Sequence, residues 1–379
     1  VQMSILIAPD SFKGSLTASE AAEAMARGVK RVLPEANLTL LPLSDGGEGL
    51  VDSLVSASGG RLLEYEVTGP LGTPVQAKMG LMGGGQTAVI EMAQASGLIL
   101  VPRDKRNPLV TTTYGTGELI RKALDLGCDH LIIGIGGSAT NDGGMGMAQA
   151  LGFLFLDENG NPLGQGGGEL TRLARIDAGG RDPRLDQVTV EVACDVNNPL
   201  TGPQGAAHIY GPQKGATPEM VALLDLALAN YDRILQRDLG QNVGNVPGAG
   251  AAGGLGAGLM ALLGGTLVSG IELVLDVLGF DEKVKGTGLV LTGEGKFDAQ
   301  SAYGKVPMGV ARRAKHFGVP CVVIAGSVLP SAEILHREGV AAYFSILNRP
   351  MRLEDAMKNG AELVENQTAE VVRLFSAAN

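Results

Sequence analysis

Apolar runs of strand length alternate with helix-period segments over the first sixty residues. Residues 4–8 are one such run, and beyond a polar loop Ala22, Met25, Val29 and Val32 recur at helical spacing. Thr17 to Glu20 has the form of a capping box at the head of that helix, and Arg27, Lys30 and Arg31 sit where the helix dipole favours cations. Pro34 stops the helix; residues 38–43 predict a second strand and 49–57 a second helix. Residues 61–92 change character, with short strands broken by turn signals at Gly69-Pro70, Gly72 and Gly83, the pattern of a meander. A helix at 116–126 follows, then strands at 130–135, 152–156 and 188–193 and a helix over 217–237. From Gly288 the strand–helix rhythm returns, with strands expected at 289–291, 321–325 and 343–347 and helices at 306–317 and 352–378.

The two ends of the chain therefore read alike and the middle differs. The economical fold is α/β with two domains. A flavodoxin-like, doubly wound domain is assembled from 1–60 and 289–379, and a mixed α/β domain, 61–288, is inserted into it. A chain of 379 residues is long enough for both. The cleft between two such domains is where a ligand is expected.

Composition narrows the function. Glycine is the outlier at 57 residues, about twice ordinary usage, clustered between apolar runs where backbone turns tightly or approaches a ligand. Trp is absent, aromatics are 4%, and the net charge is −10 without a basic cluster, which argues against a nucleic-acid partner. Cys128, Cys194 and Cys321 form no CxxC pair, as in a reducing compartment, and the four histidines show no zinc spacing. Residues 239–271 carry no charge, yet they are too glycine-rich for a membrane span and predict a buried helix or loop. With no leader-like segment before the first strand, a soluble, cytoplasmic protein without membrane contact is expected.

Five polar, glycine-flanked loops follow predicted strands, whose C-terminal ends face the ligand crevice in open α/β sheets. APDSFKGS (8–15) offers Asp10, Ser11 and Lys13 beside a helix N-terminus, a ready anion site. SDGGEG (44–49) sets Asp45 among Gly46 and Gly47; its carboxylates suit Mg²⁺ or a polyol, unless Asp45 is only an N-cap. GIGGSATNDGGMG (134–146) adds Ser138, Thr140, Asn141 and Asp142 to exposed backbone amides, a nest for phosphate or carboxylate. The same stretch also resembles a dinucleotide fingerprint, with Asp157 at the offset of the ribose-binding acid, which would make the chain an NAD-dependent dehydrogenase of a small hydroxy acid. Residues 193–216 place Asp195 at a strand end, suited to a general base, with Asn198 behind it and Lys214 in the turn GPQKG; a purely structural loop is the alternative. Residues 291–311 gather Glu294, Lys296, Asp298, Gln300, Ser301 and Lys305. No GxxxxGK[ST] loop and no protein-kinase signature occurs. Residue chemistry alone gives an enzyme acting on a small anion.

APDSFKGS, SDGGEG, GGSATNDGG, CDVNNPLTGPQGA with GPQKGA, GAGAAGG (248–254) and TGEGKFDAQS with GKVPMGVA resemble, in order and spacing, the signature blocks of bacterial class I glycerate kinases over nearly the whole chain. The resemblance implies phosphorylation of D-glycerate by ATP with Mg²⁺, most naturally to 2-phosphoglycerate, with 3-phosphoglycerate the alternative, in a chain that can form homo-oligomers. On that footing Lys13 and Lys214 would neutralise the transferring phosphoryl oxygens. Asp195 would be the base, with Asp45 and Asp298 as rivals or metal anchors. Ser138 and Asn141 would take the glycerate carboxylate or a phosphate.

Overall fold

The computed structural model describes residues 3–44, 46–47, 49–298 and 305–378. Strands β1 (Ser4–Ile7) and β2 (Asn37–Leu40) open the chain. The middle holds β3 (Arg61–Thr68), β4 (Pro74–Met82), β5 (Thr87–Glu91), β6 (His130–Gly134), β7 (Leu154–Leu156), β8 (Arg175–Asp177), β9 (Thr189–Ala193) and β10 (Thr266–Val268). The last are β11 (Leu289–Phe297), β12 (Cys321–Val328) and β13 (Val340–Ser345). The chain divides into two units, 1–45 with 269–379, and 46–268.

In the first unit five parallel strands run in the order β2-β1-β11-β12-β13. Counted within the unit, this is 2-1-3-4-5, the flavodoxin order. Chain progression reverses between β1 and β11, so right-handed crossovers put their helices on opposite faces. Burial on both faces explains the unbroken apolar runs Ile5–Leu6–Ile7 and Val322–Val323–Ile324. Helices Ala18–Lys30 and Gly360–Ala378 cover one face. They approach closely at Gly28, where a Cβ would lie 2.4 Å from the Glu365 carbonyl oxygen. The expected capping box is present: Glu20 N–H donates to Thr17 Oγ1 at 3.2 Å, and Thr17 N–H to the Glu20 carboxylate at 2.8 Å.

The second unit carries a six-stranded sheet, β10-β9-β6-β5-β4-β3. Its first four strands are parallel, and β4 and β3 extend it as an antiparallel meander. β7 and β8 form a separate antiparallel pair. The core gathers Ile133, Val192, Phe155 and the fully buried Tyr231 of helix Pro218–Leu239.

The division falls at 45/46 and 268/269 rather than 60/61 and 288/289. Helix Leu50–Ser58 buries Leu50, Val51, Leu54 and Val55 toward β3–β5 of the inserted sheet, where a Cβ at Gly80 would meet Val55 at 2.6 Å. Helices Gly270–Val277 and Phe280–Val284 belong with the first unit, held by Arg313 of helix Val306–His316, which pairs with Glu272, Asp276 and Asp281. Helical periodicity shows that a helix has an apolar face but not which sheet receives it. Two element expectations also change. β11 runs on to Phe297, so Glu294 and Lys296 lie on a strand, paired with Ala325 and Ser327 of β12. The C-terminal helix is two, Leu353–Lys358 and Gly360–Ala378. Among the described residues no helix is long and apolar enough to cross a membrane; the uncharged 239–271 stretch contains the buried helix Ala251–Leu263.

Candidate active site

In the first unit the order reversal leaves a switch point between β1 and β11, where the crossovers diverge and strand ends open a crevice. The loop after β1 is laced to β11 there. Ala8 N–H donates to the Leu291 carbonyl at 2.7 Å, Asp10 N–H to Gly293 at 2.9 Å, and Thr292 Oγ1 to the Ala8 carbonyl at 2.7 Å. Asp10 then turns the chain by accepting Ser11 N–H at 2.6 Å. The loop backbone packs on Gly295 at ordinary contact distance, a Cβ there lying 3.4 Å from Lys13 N. Lys13 is exposed. Two buried carboxylates follow on β11 and just past it: Glu294 with Lys305 Nζ at 3.4 Å, and Asp298 with Lys296 Nζ at 3.0 Å. Asp10, Ser11, Lys13, Glu294, Asp298 and Lys305 thus gather at one strand edge; Asp45, Gln300 and Ser301 lie outside the described residues.

The second unit has its own row of strand ends, since Glu91, Gly134 and Ala193 are in register on β5, β6 and β9. Lys214 lies behind the loops that follow, 1% exposed, its ammonium donating to Ser138 Oγ and to the Thr140 carbonyl, both at 2.7 Å. No carboxylate is within ion-pair distance of it among the described residues. Burial lowers its pKa to about 7, although the charge of Asp142 pulls the other way. The turn that buries it needs Gly215 (φ 93°), where a Cβ would stand 2.4 Å from the Arg106 carbonyl oxygen.

Asp142 is fully buried and engaged within its own loop. It accepts Thr113 N–H at 2.9 Å, Thr113 Oγ1 at 2.8 Å, and Gly144 and Gly146 N–H at 3.2 Å each. Burial raises its pKa and those four bonds draw it back. Its geometry is that of a residue shaping the loop. Asn141, also 0% exposed, has neither amide atom bonded, and Thr140 Oγ1 is likewise without a partner. Each buried polar atom left so costs about 1–3 kcal/mol, which favours a use for them beyond packing. The 248–254 glycine block lies against this loop: Ala252, Gly253 and Gly254 are all left-handed (φ 53°, 68° and 88°), and a Cβ on Gly253 would come within 2.0 Å of the Thr140 carbonyl.

Gly46 and Gly47 rest on the bare backbone of the 134–146 loop. A Cβ on Gly134 would be 2.5 Å from the Gly46 carbonyl oxygen, and one on Gly136 3.2 Å from Gly47 Cα. The helix that follows is capped by Gly49 (φ 89°), so the capping position is not that of Asp45. Asp195 is half-buried two residues beyond β9. Asn198 is held by its own loop, accepting Tyr210 Oη at 2.6 Å and donating to the Gln204 carbonyl at 2.8 Å.

Topology overturns the dinucleotide fingerprint. Asp157 follows β7, which pairs with β8 and bridges to Pro162 and lies outside the parallel sheet, and its carboxylate is taken by Asn159, Asn161 and Arg172. A ribose-binding acid belongs at the end of the neighbouring parallel strand. Two residues went unremarked in the sequence. Thr113 anchors Asp142, with no local signal for it. Glu91, buried at the end of β5, was signalled by a lone acid closing an apolar strand.

The sequence profile described as the Glycerate kinase family matches residues 5–376. A protein of Halalkalibacterium halodurans named glycerate kinase is 54% identical over 375 residues, covering 99% of this chain and 98% of that one. The glycerate 2-kinase of Escherichia coli K12 is 51% identical over 356 residues, 94% of this chain and 93% of its own. A crystal structure from Salmonella typhimurium LT2, solved as a candidate glycerate kinase 2, superposes with a TM-score of 0.91 at 50% identity, covering 100% of this chain and 99% of the other.

Proposed function

We propose, from the premise that this chain belongs to the glycerate kinase family, that it transfers the γ-phosphoryl group of ATP to the 2-hydroxyl of D-glycerate. The observation that carries this reading is Lys214: a buried ammonium on one hydroxyl and one carbonyl, beside the unbonded polar atoms of Thr140 and Asn141, at the strand ends of a glycine-rich loop. A cation so placed has no carboxylate in ion-pair contact among the described residues. A phosphate or carboxylate reaching it holds its proton on and supplies the missing charge. The name of the Escherichia coli relative supports the 2-phospho product.

In this reading the glycerate hydroxyl oxygen bonds to the γ-phosphorus while the bond from that phosphorus to the β–γ bridging oxygen breaks, and ADP leaves. The role given to Lys214, and to the exposed Lys13, is to neutralise oxygens on which charge is redistributed. Asp195, its backbone fixed by β9, orients the acceptor hydroxyl and takes its proton. Ser138 and Asn141 bind the glycerate carboxylate, on a loop whose shape Asp142 maintains. Mg²⁺ would be held by Asp298, a buried carboxylate paired with Lys296, together with Asp45, which lies outside the described residues; no cluster of three acidic, His or Cys side chains placed to hold a metal ion occurs among the described residues. Bound there, Mg²⁺ supplies positive charge to the ATP phosphates.

A coupled ADP-release assay with MgATP tests the reading. D-glycerate is expected over glycerol by at least about 10³ in kcat/KM, because glycerol leaves the carboxylate partners unpaired. Equal turnover of glycerol, or none of glycerate, contradicts it.

A further inference from the structure

We propose that Glu91 is a positioning residue for Gly46, Gly47 and Gly49 ahead of helix Leu50–Ser58, acting as the missing N-cap of that helix from a neighbouring strand. Gly49, the capping residue of that helix, has no side chain to accept the first free N–H groups. Glu91 closes β5 with its side chain 4% exposed, and its Oε1 accepts Val51 N–H at 2.8 Å; burial raises its pKa, and the Val51 and Gly49 N–H groups draw it back. A carboxylate at this place also complements the positive end of the helix dipole.

Beside Glu91, Leu50 N–H donates to the Gly47 carbonyl at 3.4 Å and Ser53 N–H to the Gly49 carbonyl at 2.9 Å. Two glycines in sequence, Gly46 and Gly47, have many backbone conformations open to them. The surface beneath is also glycine, since Gly134 and Gly136 meet that turn backbone to backbone. Register places Glu91 directly beside Gly134, so two neighbouring strand ends meet the same stretch of chain from one face of the sheet. The inference rests on the proposed function in one respect: the 44–49 loop is taken to serve the reaction.

Two variants separate positioning from bulk stability. Glu91→Gln keeps one accepting oxygen in place of two, and Glu91→Ala keeps none. Expected are losses in kcat/KM for D-glycerate of about 10-fold and about 10²-fold respectively, per folded molecule, since Gln leaves Val51 N–H a neutral acceptor and Ala leaves it none. Ile234→Ala, a buried helix residue remote in sequence from this turn, is the control; it should lower the melting temperature and leave kcat/KM unchanged. Hydrogen exchange over residues 46–55 reads the positioning without any substrate and should quicken in Glu91→Gln. Wild-type kcat/KM in both Glu91 variants overturns the proposal. So does unaltered exchange in Glu91→Gln, even if the wild-type protein turns over no glycerate, a result that would count separately against the reaction.

Discussion

The Lys214 ammonium donates to one hydroxyl and one carbonyl, and it loses its hydration without a carboxylate in ion-pair contact among the described residues. Replacing it by an apolar side chain of similar length should therefore relieve the fold while disabling the chemistry. Lys214→Met is expected to melt no lower than wild type at pH 7, with kcat reduced about 10²-fold or more. The pH dependence gives a sign as well. Folded, the lysine releases its proton near 7; unfolded, it keeps it to about 10.5. Between those values the unfolded chain holds more protons, so wild-type stability climbs with pH, by up to about 1.4 kcal/mol per unit. Urea unfolding at pH 7 and pH 9 should show this gain in wild type and not in Lys214→Met; identical slopes contradict the burial. None of this was legible in GPQKG, which reads as a surface turn. The burial depends on Gly215 passing beneath Arg106, a contact over a hundred residues away in sequence.

Helix Ala251–Leu263 shows what an element can hide. Its first turn is broken by three left-handed residues, and one of them, Ala252, is not glycine. An L-residue in that conformation costs about 1–2 kcal/mol. Ala252→Gly should raise stability by about 0.5–1 kcal/mol, the strain relieved less the extra freedom of glycine in the unfolded chain. Gly253→Ala should do the reverse, by several kcal/mol, with its Cβ driven into the Thr140 carbonyl. Denaturant midpoints check both; a stability loss in Ala252→Gly refutes the strain. Elements with local chemistry were readable in advance, as the Thr17 capping box was. β11 was only half readable, because Gly293, Glu294, Gly295 and Lys296 look like a loop until β12 pairs with them. The polar residues of that strand end are the ones placed at the β1–β11 switch point, where local pattern and function pull apart.

For the whole molecule, the recurrence of strand–helix rhythm at both chain ends revealed an insertion, since pattern reports fold class. Its borders needed packing, because helix Leu50–Ser58 and helix Gly270–Val277 each carry an apolar face that either sheet could take. Residues 46–268 have their own six-stranded sheet and core, so this segment, expressed alone, should unfold cooperatively with native near-UV dichroism. A non-cooperative, dye-binding state would show that its core is not self-sufficient. The proposed reaction is the transfer of phosphate to one hydroxyl of one small acid. Phosphorus NMR of the full chain incubated with D-glycerate, ATP and Mg²⁺ observes that directly. It should show the γ-phosphate of ATP disappearing in step with a single new monoester resonance, that of 2-phosphoglycerate. Inorganic phosphate as the sole product, or a spectrum of unconsumed ATP, would contradict it.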